Sequence, residues 1–82
     1  MEDYETLLKR ITVHPDILVG KPCIRGMRIS VEHILDALAA GVTSQELLEE
    51  YQELELEDIR AVLLYAKELL AMERVYPVGK QG

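Results

Sequence analysis

The residue types best suited to chemistry gather in one short stretch, at Lys21, Arg25 and Arg28, with His14 nearby in the sequence. Basic side chains of this kind contact phosphate groups or the carboxylates of an acidic partner. The alternative is that they are solvated ends of a short sheet that pair with acidic helices. Because strand geometry sends neighbouring side chains to opposite faces, we expect Ile24 to be buried and Arg25 to be exposed.

Arg60 is the second candidate contact residue. It lies in the first turn of the last predicted helix, close to Glu57 and Asp58. In a protein that reads a DNA major groove with this helix, Arg60 would be the lone base reader of that turn. The acidic neighbours suit the helix dipole but repel phosphate. The alternative is an intrahelical ion pair, for which Glu57 is the obvious partner.

Metal and catalytic chemistry find little support in the sequence. His14, Cys23 and His33 are separated by nine and ten residues, which matches no compact metal-ligand motif. Nothing marks a base, an orienting group or an oxyanion site for Cys23 as a nucleophile, so we expect a small, half-buried hydrophobic residue there. We therefore predict no enzyme activity, no cofactor and no metal site.

Acidic residues crowd the middle of the chain, at Glu49, Glu50, Glu53, Glu55, Glu57 and Asp58. Their spacing is not that of a calcium-binding loop, which alternates its carboxylate ligands around a fixed glycine. The first interpretation is a solvated helix surface, and the second is an acidic face for a protein partner.

The composition narrows the class of protein. The chain has 82 residues, 49% of them apolar, and a formal net charge of −6, which favours one ordered domain and disfavours non-specific nucleic-acid binding. Residues 1–30 carry five basic and four acidic side chains, whereas residues 31–82 carry four basic and eleven acidic ones. Any nucleic-acid contact is therefore expected in the N-terminal part, and the rest favours a protein partner.

Three features of the sequence favour a cytoplasmic protein. The single cysteine cannot form an intramolecular disulfide, which fits a reducing compartment. The N-terminus is acidic where a signal peptide would be basic. No apolar run approaches the roughly 20 residues that span a bilayer.

Turn residues and apolar spacing divide the chain into two parts. Residues 3–10 predict a short helical turn, residues 11–13 a strand, and Gly26 the centre of a hairpin. Three helices are expected to follow. The first is capped by Ser30 and ends before Gly41, the second begins at a capping box of Thr43 and Glu46, and the third begins near Glu57. A sheet this small is not stable alone and must pack on the helices or pair with another chain.

The predicted fold is therefore mainly α in a single domain over residues 1–75. A short N-terminal β-hairpin element, residues 11–30, precedes a three-helix, homeodomain-like helix-turn-helix bundle, residues 31–75. Residues 76–82 are predicted to be a flexible tail.

The run from Gly20 to Val31, Gly-Lys-Pro-Cys-Ile-Arg-Gly-Met-Arg-Ile-Ser-Val, resembles the signature of the domain of unknown function 433 family. The resemblance continues at Ile34-Leu35, Leu38-Ala39-Ala40-Gly41, Glu46-Leu47-Leu48, Tyr51, Glu57-Asp58-Ile59-Arg60-Ala61 and Leu64-Tyr65-Ala66, and covers roughly residues 11–71. It implies a small prokaryotic protein with a short β element before a homeodomain-like trihelical core. Such proteins are often encoded beside a PIN-like nuclease-type protein and are proposed as antitoxins, with no established catalytic residues.

Three positions depart from that family's pattern. Met27 stands where the family usually has Thr, and Gln52 stands where Pro usually follows the tyrosine. Glu55 stands where a Thr or Ser usually caps the third helix. The last change is expected to weaken the helix cap and to add negative charge near the helix that would read DNA.

The preferred prediction is a non-enzymatic interaction module that self-associates, as a dimer or higher oligomer, and acts as the antitoxin of a PIN-like ribonuclease. The alternative is a helix-turn-helix transcriptional regulator, which could also repress its own operon. In either case the predicted contact residues are Lys21, Arg25, Arg28 and Arg60.

Overall fold

Four α-helices, a short 3-10 helix (Leu18–Gly20) and a two-stranded sheet make up the part of the chain that the structure describes, residues 2–72 of a computed structural model. The elements follow the chain as α1 (Tyr4–Leu8), β1 (Ile11–Thr12), β2 (Cys23–Ile24), α2 (Val31–Ala39), α3 (Ser44–Glu50) and α4 (Leu56–Met72). The mainly helical class, with a small sheet before the bundle, is confirmed. The predicted domain end at residue 75 and the predicted tail at 76–82 lie outside the described residues.

The N-terminal helix forms where the sequence predicts a helical turn. Its cap is Asp3, whose carboxylate accepts a hydrogen bond from the backbone N–H of Thr6 at 2.9 Å. Leu7 is buried, and the helix packs along α4. Five residues are too few for an isolated helix, so this contact with α4 is what holds α1 in place.

The sheet pairs strands that are farther apart in sequence than the predicted hairpin. β1 and β2 run antiparallel, with Ile11 opposite Ile24 and Thr12 opposite Cys23. The tight turn at Gly26 is present, but the chain after it makes a single bridge, from Ser30 to Cys23. Because Ser30 is already the cap of α2, too few residues remain after the turn to extend a ladder there.

Local capping residues set the ends of the two middle helices as predicted. The Ser30 hydroxyl caps α2 by accepting a hydrogen bond from the backbone N–H of His33 at 2.9 Å, and Gly41 follows that helix with φ of +98°. Thr43 and Glu46 form the predicted capping box of α3.

Helix α4 begins at Leu56, one residue before the predicted start. Its first turn is capped by a side chain inside the helix rather than by the residue before it. The Asp58 carboxylate accepts a hydrogen bond from the backbone N–H of Glu55 at 2.9 Å. This is the half of a capping box that the third helical residue supplies. The Glu55 side chain turns away to Arg10 instead, so a good cap residue at position 55 is not needed to begin the helix.

The core joins all the larger elements and lies against the inner face of α4. Its buried members are Ile24, Val31, Ile34, Leu47, Leu54, Ile59 and Val62. The apolar stripe predicted for α4 is wider than the face that the core buries, because two short helices cannot cover so broad an arc. Leu63, Leu69 and Leu70 of that stripe remain 45% to 60% exposed.

Within residues 2–72, no helix is both long and apolar enough to cross a membrane.

Candidate functional site

One buried carboxylate, Asp58, organises the charged residues of the N-terminal half. Its side chain is fully buried at the start of α4, where it accepts hydrogen bonds from two arginines. Arg25 binds it with both Nε, at 2.9 Å, and Nη2, at 2.8 Å, in a bidentate arrangement. Arg10 adds a third guanidinium bond from Nη1 at 2.9 Å.

Both arginines also bind other groups. We call the resulting set of residues the Asp58 cluster: Glu2, Arg10, Arg25, Glu55 and Asp58. Arg10 also binds the Glu2 carboxylate and Glu55 Oε1, the latter at 2.8 Å. Arg25 donates from Nη2 to the backbone carbonyl of Glu53 at 2.8 Å. The cluster ties the N-terminal segment and the turn after β2 to the first turn of α4.

Electrostatics within the cluster favour the charged form of every member whose pKa shifts. Burial acts to raise the pKa of Asp58, but hydrogen bonds from Arg25, from the Glu55 N–H and from Arg10 outweigh it and lower that pKa. The Glu2 hydrogen bond raises the pKa of Arg10, and the Asp58 hydrogen bond raises the pKa of Arg25. The ion pairs of the cluster therefore act as a structural clamp between the N-terminal segment and α4.

The predicted contact residues lie in separate environments. Lys21 Nζ is 3.2 Å from Glu32 Oε1 on α2, and both side chains are exposed. Arg25 belongs to the Asp58 cluster, and its side chain is 36% exposed. Arg28 is exposed beside a shallow pocket of about 290 Å³ that Met27 also lines. Their role as nucleic-acid or partner contacts stays a prediction.

The guanidinium group of Arg25, which we expect to be exposed, forms an ion pair with Asp58. Ile24 is fully buried as expected, while the Arg25 backbone takes a left-handed conformation, with φ of +45°. That turn brings the guanidinium onto Asp58, and the Arg25 side chain is still exposed, as expected. Arg60, the fourth predicted contact residue, is half-buried on α4.

The histidines and the cysteine of the sequence are also separated. Cys23 is almost fully buried in β2, and His33 Nε2 lies 2.8 Å from the hydroxyl of Tyr51. This contact links α2 to the end of α3, with the two rings edge to face. Among residues 2–72, no three side chains of His, Cys, Asp or Glu are placed to hold a metal ion together.

A shallow apolar groove of about 250 Å³ lies between α2 and α4. Its lining residues are Pro22, Val31, Leu35, Tyr65 and Leu69, with Lys21 and Glu32 at the rim. The lining is apolar, which suits a side chain of another protein better than a polar substrate. This groove was not apparent from the sequence, since it depends on how α2 crosses α4.

The far side of α4 presents a second apolar surface. Leu56, Leu63 and Leu70 are 48%, 51% and 60% exposed, and they repeat every seven residues. Arg60 and Lys67 lie between them along the same side of the helix. We call these five residues the outer face of α4.

Comparison with known proteins shows which family the chain belongs to. The family model described as "Protein of unknown function (DUF433)" matches residues 11–66, more than half of the chain. The chain belongs to the DUF433 family. A DUF433 relationship was expected from the run between Gly20 and Val31, which lies inside the match.

A relative among the curated proteins carries no function in its name. The "Uncharacterized protein y4eO" of Sinorhizobium fredii (strain NBRC 101917 / NGR234) is 34% identical over 67 residues. The match covers 82% of this chain but 30% of the relative, so the chain spans less than a third of that protein. No solved structure matches.

The DUF433 match begins after α1, and so leaves out part of the Asp58 cluster. Arg25, Glu55 and Asp58 lie inside the matched residues, whereas Glu2 and Arg10 lie before them. The departure at Glu55 from the usual Thr or Ser now has a structural counterpart, because its carboxylate pairs with Arg10. Where the resemblance leads us to expect a capping side chain, Glu55 forms an ion pair with the N-terminal segment.

Proposed function

We propose that this DUF433 protein is a non-enzymatic interaction module, an antitoxin that binds and inhibits a co-encoded PIN-like ribonuclease in the cytoplasm. The observation that carries the proposal is where the exposed large apolar side chains lie. Of the eight found among the described residues, five are on α4: Leu56, Leu63, Leu69, Leu70 and Met72. Exposed apolar side chains concentrated on one helix, here on more than one of its sides, suit an element that another protein covers.

The charge of the bundle supports a ribonuclease as the partner. Glu49 and Glu50 at the end of α3 are exposed, as is Glu53 in the following turn. A protein that binds RNA must present a basic surface, and an acidic inhibitor complements such a surface and speeds association. Inhibition would then follow from occupying the surface that RNA needs.

The test is reconstitution with the PIN-like protein encoded beside this chain. We expect the two purified proteins to elute as one complex, and stoichiometric addition of the antitoxin to suppress RNA cleavage. The variant E49K/E50K should weaken inhibition, most strongly at low salt. Glu5→Lys, a charge reversal on the exposed side of α1, is the matched control and should leave inhibition unchanged. Absence of a complex at low salt overturns the proposal.

DNA binding is the second candidate, since α3 and α4 follow one another with a short connection, as the two helices of a helix-turn-helix do. Two observations weigh against it: α1 packs on α4, and Arg25 is held by Asp58. A gel shift with the operon's own promoter discriminates. A DNA-binding protein would show retardation that weakens as salt rises, and Arg28→Ala would reduce it.

Self-association is part of the same proposal. The sheet has two strands of two residues each in the described range; the outer edge of β2 is bridged by Ser30, whereas β1 has no further strand beside it there. Sedimentation equilibrium at micromolar concentration should show a dimer or higher oligomer. A monomer throughout that range would contradict this part of the proposal and leave ribonuclease binding to its own test.

A further inference from the structure

The outer face of α4 has a geometry that suits a facing helix. Leu56, Leu63 and Leu70 recur every two turns, so their side chains are spaced about 10 Å apart along the axis. Together with Arg60 and Lys67 they occupy an arc of about 80° around the helix. Leucines at this spacing insert between the side chains of a second helix that carries its own seven-residue repeat.

Helix α4 cannot rotate this face into its own core. Asp58, Ala61 and Val62 are fully buried on the opposite side, and Ile59, which is 2% exposed, is buried next to the outer face. The Asp58 cluster fixes the first turn in the same orientation. Burying the leucines in the core would require exposing these residues, so no other orientation of α4 within residues 2–72 covers the outer face.

The charge of the outer face is opposite to that of the molecule. The whole chain has a net charge of −6, yet the outer face carries two basic side chains and no acidic one. Lys67 Nζ lies 3.1 Å from Glu68 Oε2 in an exposed pair, which water screens strongly. An incoming carboxylate could therefore engage this ammonium group at little cost.

We propose that the outer face of α4 docks an acidic, leucine-bearing amphipathic helix of the partner protein. This inference deepens the proposed function and rests on it for the identity of that partner. A second copy of the chain fits less well, because pairing two outer faces brings four cations into one small interface. The groove between α2 and α4 lies on another side of the helix and remains free in this arrangement.

The first test uses defined probes rather than an unidentified ligand. Two helical peptides of about 21 residues carry leucine at the a and d positions, with glutamate in one and lysine in the other at e and g. Fluorescence anisotropy at moderate salt should show binding of the glutamate peptide. Leu63→Gln should weaken this binding about tenfold, and Lys67→Glu about threefold. Thermal unfolding checks that each variant is folded.

Leu69→Gln is the matched control, since Leu69 is 45% exposed on the same helix but faces the groove. It should leave binding of the glutamate peptide unchanged. The inference is overturned if that peptide does not bind, if Leu63→Gln has no effect, or if Leu69→Gln weakens binding equally. Self-association abolished by Leu63→Gln would show that a second copy covers the face, and would also overturn it.

The second test separates this inference from the proposed function. The same variants are mixed with the co-encoded nuclease and the affinity is measured. A complex weakened by Leu63→Gln and not by Leu69→Gln supports both statements. A complex that tolerates Leu63→Gln but is weakened by E49K/E50K keeps the antitoxin proposal and contradicts docking at the outer face. No complex, with the glutamate peptide still bound through Leu63, contradicts the antitoxin proposal alone.

Discussion

At the scale of single residues, Asp58 shows how a small core tolerates a buried charge. Two guanidinium groups and one backbone N–H surround its carboxylate. Every buried side-chain nitrogen or oxygen in the described part of the chain has a hydrogen-bond partner. A buried carboxylate that lost its arginines would be strongly destabilising, so the cluster is retained as a unit.

The sequence identified Asp58 only as an acidic residue in a first helical turn. A signal for its burial was present, because Val62 follows it by four residues and therefore shares its side of the helix. Nothing local, however, indicated that Arg10 and Arg25 would reach it. Both arginines lie more than 30 residues away along the chain, and such pairings depend on the tertiary fold.

The first prediction concerns acid stability. The folded-state pKa of Asp58 is below its ordinary value of 3.8, so its contribution to stability is fully present above that value. It is lost as the pH falls toward the folded-state pKa. Hydrogen bonding also lowers the pKa values of Glu2, Asp3 and Glu46, which add to the same acid sensitivity. Urea unfolding between pH 7 and pH 2 should show a loss of stability that begins below about pH 5.

Asp58→Asn is the control for this prediction. The amide can still accept the hydrogen bond from the Glu55 N–H, but Arg25 loses its paired carboxylate and Arg10 loses one of three, so we expect a loss of about 3 kcal/mol at pH 7. The variant should then lose less additional stability on acidification than the wild type. Parallel curves for the two proteins would show that Asp58 is not the main titrating group.

At the scale of elements, the helix ends were predictable and the surfaces between helices were not. Ser30, Gly41 and the pair Thr43 and Glu46 act through residues within one turn, so the sequence alone specifies them. The width of the buried face of α4 depends on what packs against it. Its apolar stripe was predicted as one surface, yet the structure divides it between the core and the outer face.

The second prediction concerns the start of α4. Glu55→Thr adds a side-chain cap to the bond that Asp58 already supplies, but removes the exposed ion pair with Arg10. A cap contributes about 1 kcal/mol, whereas an exposed pair contributes about 0.5 kcal/mol, so the variant should be slightly more stable than the wild type.

Glu55→Ala separates these two effects, because it loses the ion pair and gains no cap. Thermal and urea unfolding of the three proteins should rank them as threonine, glutamate and alanine in decreasing stability. The threonine and alanine variants should differ by about 1 kcal/mol. Equal stability of those two variants would show that the threonine does not cap α4.

At the scale of the whole molecule, the N-terminal segment and the bundle form one structural unit. The DUF433 match begins at residue 11, yet α1 packs along α4 and Arg10 reaches Asp58. The excess of negative charge in residues 31–82 is partly offset at this contact by an arginine from the N-terminal part. The two halves differ in charge, as the sequence shows, and part of this difference is used in ion pairs within the molecule, from Arg10 and Arg25 to Asp58.

The last prediction tests whether this unit unfolds as one. Leu7 is 5% exposed between α1 and the bundle, so Leu7→Ala should lower the free energy of unfolding by about 2 kcal/mol. Tyr4→Ala, on the same short helix but 67% exposed, should change it by less than about 0.5 kcal/mol. If α1 unfolds together with the bundle, Leu7→Ala lowers the urea midpoint and leaves the slope of the transition unchanged. If α1 instead detaches first, Leu7→Ala leaves the midpoint of the bundle in place, and the coupling of α1 to the rest of the molecule is refuted.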